Sequence, residues 1–82
     1  MDKPENPAAM AASLTPPMQD MLLRAVATNG GGLNGFSENR STWQALYRRD
    51  LIQGKRGQPS SIVHTRLGLL VARELEIAER SK

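Results

Sequence analysis

Ser41-Thr-Trp-Gln-Ala-Leu-Tyr-Arg-Arg-Asp-Leu-Ile52, then Gly54-Lys-Arg-Gly-Gln-Pro-Ser60, then Ile62-Val-His-Thr-Arg-Leu-Gly68, is the stretch whose reading decides the fold. At about 100° per residue, Trp43, Leu46 and Tyr47 share one helical face, while Arg40, Ser41, Gln44 and Arg48 lie on the other. A helix is therefore predicted from Asn39 or Ser41 to about Asp50. Ile52 opens a strand, the basic Gly/Pro run makes a hairpin turn, and Ser61–His64 returns. Thr65 can cap a closing helix. Its apolar positions Leu67, Leu70, Val71, Leu75 and Ala78 recur at three and four residues, with Leu69 and Ile77 outside the stripe.

Working outward, Thr15-Pro16-Pro17 reads as a helix start. The Thr hydroxyl can accept an early backbone N–H, and proline tolerates the first turn. Met18, Met21, Leu22, Ala25 and Val26 follow at helical spacing as core residues, and Asn29-Gly30 ends the helix near Thr28 through left-handed backbone. Residues 30–39 hold a second Asn-Gly step, Asn34-Gly35. Leu33 and Phe36 are the large apolar residues expected to pin this loop to the core. The glycine triplet Gly30–Gly32 lacks the strand before it and the Gly-Lys-Ser/Thr after it that a phosphate cradle needs. Residues 1–13 show no periodic apolar face and read as a disordered arm. The expectation is an α+β domain over residues 14–80, with three helices and a β-hairpin in its C-terminal half.

The formal charge of the 82 residues is +3, and it is unevenly placed. Residues 1–38 carry Lys3 and Arg24 against Asp2, Glu5, Asp20 and Glu38, net −2. Residues 39–66 carry Arg40, Arg48, Arg49, Lys55, Arg56 and Arg66 against Asp50, net +5. The last segment is balanced. The excess therefore sits in the stretch that decides the fold, as in a binder of polyanions.

The pattern Thr42-x-x-Ala45-Leu46-x-x-Arg49-x-Leu51-Ile52, a basic hairpin, and Val63-His64-Thr65-x-x-Gly68 resembles winged helix-turn-helix domains of the MarR type and small phage or bacterial regulators. Two departures stand out: Asp50 occupies the glycine position of the motif, and about ten residues separate the first helix from the second, too few for another full helix. The resemblance implies a small winged helix, a double-stranded DNA partner, helix 39–50 at the major groove and wing 53–61 on the backbone. On that reading Arg40 and Arg48 suit guanine or phosphate and Gln44 suits adenine, while Ser41 and Thr42 donate to phosphate near the helix start. Lys55 and Arg56 at the turn suit phosphate and add salt dependence. A homodimer through Leu69 and Ile77 completes it.

The rival expectation is an interaction module of a phage or mobile element that keeps the fold and docks on a host protein. Other classes find little in the residues. Absence of cysteine removes disulfides, thiol catalysis and thiolate metal sites. The single histidine, His64, has no second histidine to share a metal with, and no cofactor motif appears. No Ser, His and Asp are ordered as nucleophile, base and orienter, so an enzyme is not expected. Neither a signal peptide nor a membrane span is visible, and a soluble, cytoplasmic, nucleoid-associated protein is expected.

Overall fold

A computed structural model describes residues 6–80. The chain runs α1 (Pro7–Ser13), α2 (Pro16–Ala27), β1 (Leu33–Asn34), α3 (Arg40–Arg48), β2 (Ile52–Lys55), β3 (Gln58–His64) and α4 (Arg66–Arg80). The described residues form a small α+β fold with four helices and a three-stranded antiparallel sheet in the order β1-β3-β2.

The fourth helix, α1, corrects the reading of a disordered arm over residues 1–13; residues 1–5 of that arm lie outside the described residues. Asn6 caps α1, its Oδ1 accepting from the N–H of Ala8 and Ala9 at 3.0 and 3.3 Å, and Pro7 stands in the first turn. A seven-residue helix is marginal alone, so tertiary contact must hold it. That contact is α4, with Ala11 and Leu14 buried in the shared core.

Helix α2 lies at the centre, touching α3, α4 and β3 and burying Met18, Met21, Leu22 and Ala25. Thr15 holds the cap position but its side chain makes no cap bond, against expectation; Gln19 Nε2 instead donates to the Leu14 carbonyl at 2.9 Å. The helix stops where glycine and asparagine allow left-handed backbone, with positive φ at Asn29, Gly30 and Gly32. β1 pairs Leu33 with Ile62 and Asn34 with Ser61. Leu33 packs on the core as anticipated, whereas Phe36 is 87% exposed. The Asn34-Gly35 turn explains this: Asn34 accepts from the N–H of Phe36 and Ser37 and turns the chain outward.

The end of α3 is a Schellman closure. Asp50 N–H donates to the Tyr47 carbonyl at 3.0 Å and Leu51 N–H to the Leu46 carbonyl at 3.1 Å. Leu46 and Leu51, both fully buried, make the apolar contact that accompanies this motif. Asp50 takes the left-handed turn itself, with φ 60°. β2 and β3 then pair from Ile52↔His64 to Lys55↔Gln58 around a turn at Arg56-Gly57, so strand reaches deeper into the basic run than anticipated. The β2–β3 register shifts between Gly54 and Lys55, and on its other edge β3 pairs with β1, where the Ser60 carbonyl accepts the Gly35 N–H at 2.8 Å.

α4 buries Gly68, Val71, Ala72 and Leu75, an i, i+3, i+4, i+7 stripe. The apolar stripe anticipated through Leu70 and Ala78 is therefore rotated: both are exposed, and Ala72 takes their place. Gly68 fixes the phase. A Cβ there would collide with the Leu51 carbonyl oxygen and lie 3.3 Å from Leu22 Cδ1. Among the described residues no helix is long and apolar enough to cross a membrane.

Candidate nucleic-acid interface

Asn39 starts α3 by accepting the Thr42 N–H at 3.1 Å. The helix buries Leu46 and turns Arg40, Ser41, Tyr47 and Arg48 to solvent, with Gln44 half-buried between them. Of the anticipated contact residues on α3, Arg40, Ser41, Gln44 and Arg48 thus share the outward face. Thr42 does not join them. It is half-buried, and its hydroxyl donates to Asn39 Oδ1 at 3.3 Å, so it serves the cap.

Lys55 is half-buried at the end of β2 and Arg56 is exposed at the hairpin tip. Among the described residues, Arg40, Arg48, Lys55 and Arg56 enter no salt bridge. Arg49 differs, because its Nη1 donates to the Ala45 carbonyl at 3.0 Å and closes its own helix end.

The short approach to α3 is held by an ion pair that sequence reading missed. Arg24 on α2 forks onto Glu38, with Nη1–Oε2 2.9 Å and Nη2–Oε1 2.7 Å, and its Nε reaches Asp20 Oδ2 at 2.9 Å. The two charge-assisted bonds from Arg24 hold the Glu38 carboxyl below the usual range, and Arg24 is shifted upward in turn. Glu38 immediately precedes the Asn39 cap, so the fork sets where α3 begins. Asp20 and Arg24 stand at i, i+4 on one helix, a spacing that pairs side chains, whereas Glu38, fourteen residues on, carries no local signal.

An apolar groove of about 780 Å³ is lined by residues of α3, the turn after β1 and the β2–β3 hairpin. Phe36, Trp43 and Tyr47 form its aromatic walls, with Ile52, Ile62 and Gln53 along it. Tyr47 is 59% exposed, so its ring leaves the core face on which helical phasing placed it. Trp43 packs partly against the core, and its buried Nε1 finds no hydrogen-bond partner among the described residues. The signal for an outward Phe36 was its place between two turn formers, Asn34-Gly35 and Ser37.

The residues anticipated for pairing, Leu69 and Ile77, fall differently. Ile77 is 55% exposed and Leu69 half-buried, while Leu70, one heptad before Ile77, is 40% exposed. Among the described residues there is no group of three or more His, Cys, Asp or Glu placed to hold a metal ion. The chain matches no protein-family model, no curated protein and no solved structure.

Proposed function

We propose that this protein is a sequence-specific binder of double-stranded DNA, a winged-helix transcriptional regulator acting in the cytoplasm at the nucleoid. Helix α3 enters the major groove, and the β2–β3 hairpin follows the backbone as a wing. The carrying observation is four cations without an acidic partner among the described residues, Arg40 and Arg48 on α3 and Lys55 and Arg56 on the adjoining hairpin. Arg24, by contrast, takes both Asp20 and Glu38. Uncommitted cations at a helix face and hairpin tip lower the free energy of a polyanion by releasing its counterions. The element order from α2 onward, with a hairpin directly after the polar-faced helix, supports the same reading.

Roles follow from placement. Arg40, Gln44 and Arg48 read base edges, and Ser41 with Lys55 and Arg56 positions phosphates. Two copies pair through α4 with Leu70 and Ile77 rather than Leu69 as the apolar contacts; a monomer mass in light scattering at high concentration would remove this part. The test of the main reading is duplex binding as a function of salt, with loss on Lys55→Ala/Arg56→Ala.

The apolar groove favours a second reading, a winged-helix module that docks on a host protein without DNA. Duplex binding that is absent even at low salt would select it.

A further inference from the structure

Exposed aromatic faces are costly in water, and this chain spends two of its three aromatic residues that way. Phe36 and Tyr47, 87% and 59% exposed, line one groove together with Trp43. An intact duplex offers phosphates and base edges to a helix but no open base face, so these rings gain nothing from it. We infer that the groove takes an unstacked nucleobase, and that the protein's preferred partner is DNA with an unpaired segment beside a duplex. This rests on the DNA reading of α3 and the hairpin and narrows its substrate.

Charge selects the occupant. Arg48 follows Tyr47 on α3, and Lys55 follows Gly54, a groove residue of β2. Arg40 begins the same helix, roughly 12 Å from Arg48 at 1.5 Å rise per residue. Arg56 lies at the hairpin tip. A second copy docked here would bring two such sets of cations together. One carboxylate on a peptide meets one of these cations, whereas a strand carries an anion at every nucleotide and reaches them in series. Its bases meanwhile present the flat apolar faces that Phe36 and Tyr47 match, the arrangement of a single-strand stacking platform. Gln53 and Ser60 in the groove lining can meet a base edge.

The test compares a fully paired duplex with the same duplex carrying a short single-stranded gap, using the full chain and fluorescence anisotropy. Quenching of Trp43, the only tryptophan, reports groove occupancy independently. Wild type is expected to bind the gapped DNA roughly tenfold tighter and to show quenching with it alone, in line with stacking measured by alanine substitution. Phe36→Ala and Tyr47→Ala, both at exposed positions, should each erase most of that preference and leave paired-duplex affinity nearly unchanged, while Tyr47→Phe keeps it. Equal affinity for the two DNAs, or a preference that survives both alanine changes, overturns the inference and leaves the duplex reading standing. No binding to either DNA overturns both. Tight, Phe36-dependent binding of an acidic amphipathic peptide in that case would assign the groove to a protein.

Discussion

Thr65 donates its hydroxyl proton to the Asp50 carbonyl at 2.6 Å, stitching the start of α4 to the end of α3. The same oxygen accepts the Gly68 N–H at 2.9 Å, and the Thr65 N–H donates to the Leu51 carbonyl at 3.0 Å. One residue thus caps α4 and anchors the exit of α3. Removing the cap in Thr65→Ala should cost about 1–2 kcal/mol in urea denaturation, and Thr65→Ser should recover most of it. A Thr65→Ala protein as stable as wild type would show that the junction is held elsewhere.

Gly68 lies under the same junction. Its added Cβ meets backbone of Leu51 rather than a side chain that can turn aside. Gly68→Ala should therefore cost about 2–3 kcal/mol or more, at the upper end of overpacking. That is a large share of the stability of so small a domain. A neutral Gly68→Ala in denaturant titration would contradict the close approach of α4 to Leu51.

Asp50 sits at φ 60°. Asp50→Gly should leave stability equal or raise it by up to about 1 kcal/mol, because glycine adopts this region without a Cβ penalty. Asp50→Val should lower it by about 1–2 kcal/mol. Thermal unfolding of the pair checks the order Gly ≥ Asp > Val.

The Arg24–Glu38 fork gives a pH dependence with a definite sign. Glu38 titrates lower in the folded protein than in the unfolded chain, so folding favours its charged form. Its contribution is complete above the unfolded carboxylate value, about 4.3, and is lost as pH falls through the folded value. Arg24 stays 44% exposed, so salt and solvent limit the pair to about 1 kcal/mol at pH 7. Glu38→Gln should be less stable than wild type at pH 7 and should lose less on acidification below pH 5. Parallel pH curves for the two proteins would remove Glu38 as the titrating group.

Much of this architecture was legible because local chemistry and tertiary packing agree. Asn29 and Gly30 end α2, Asn39 starts α3, and Thr65 starts α4, each through a backbone requirement that the residue type itself announces. What was hidden depended on distance. α1 has alanine where a core stripe is usually sought, and only α4 makes that small surface worth burying. The α4 stripe was phased wrongly because Gly68, apolar by absence, defines the buried side and brings Ala72 in while Leu70 turns out. At the site, the cations were visible from charge distribution. The Thr42 hydroxyl is consumed by Asn39, and the groove lined by Phe36 and Tyr47 needs a turn, a helix and two strands that no periodicity joins.

On the proposed reading α3 and the hairpin together hold a DNA duplex, the helix in the major groove and the hairpin on the backbone. The direct measurement is the salt dependence of affinity for a mixed-sequence duplex, wild type against Lys55→Ala/Arg56→Ala and Arg48→Ala. Binding should weaken steeply with salt, and the double hairpin variant should reduce the magnitude of the log–log slope by about 2, near 0.9 per lost phosphate contact. Arg48→Ala should also narrow the difference between preferred and random sequences. A wild-type chain that fails to bind at low salt, or a hairpin variant with an unchanged slope, would contradict the account.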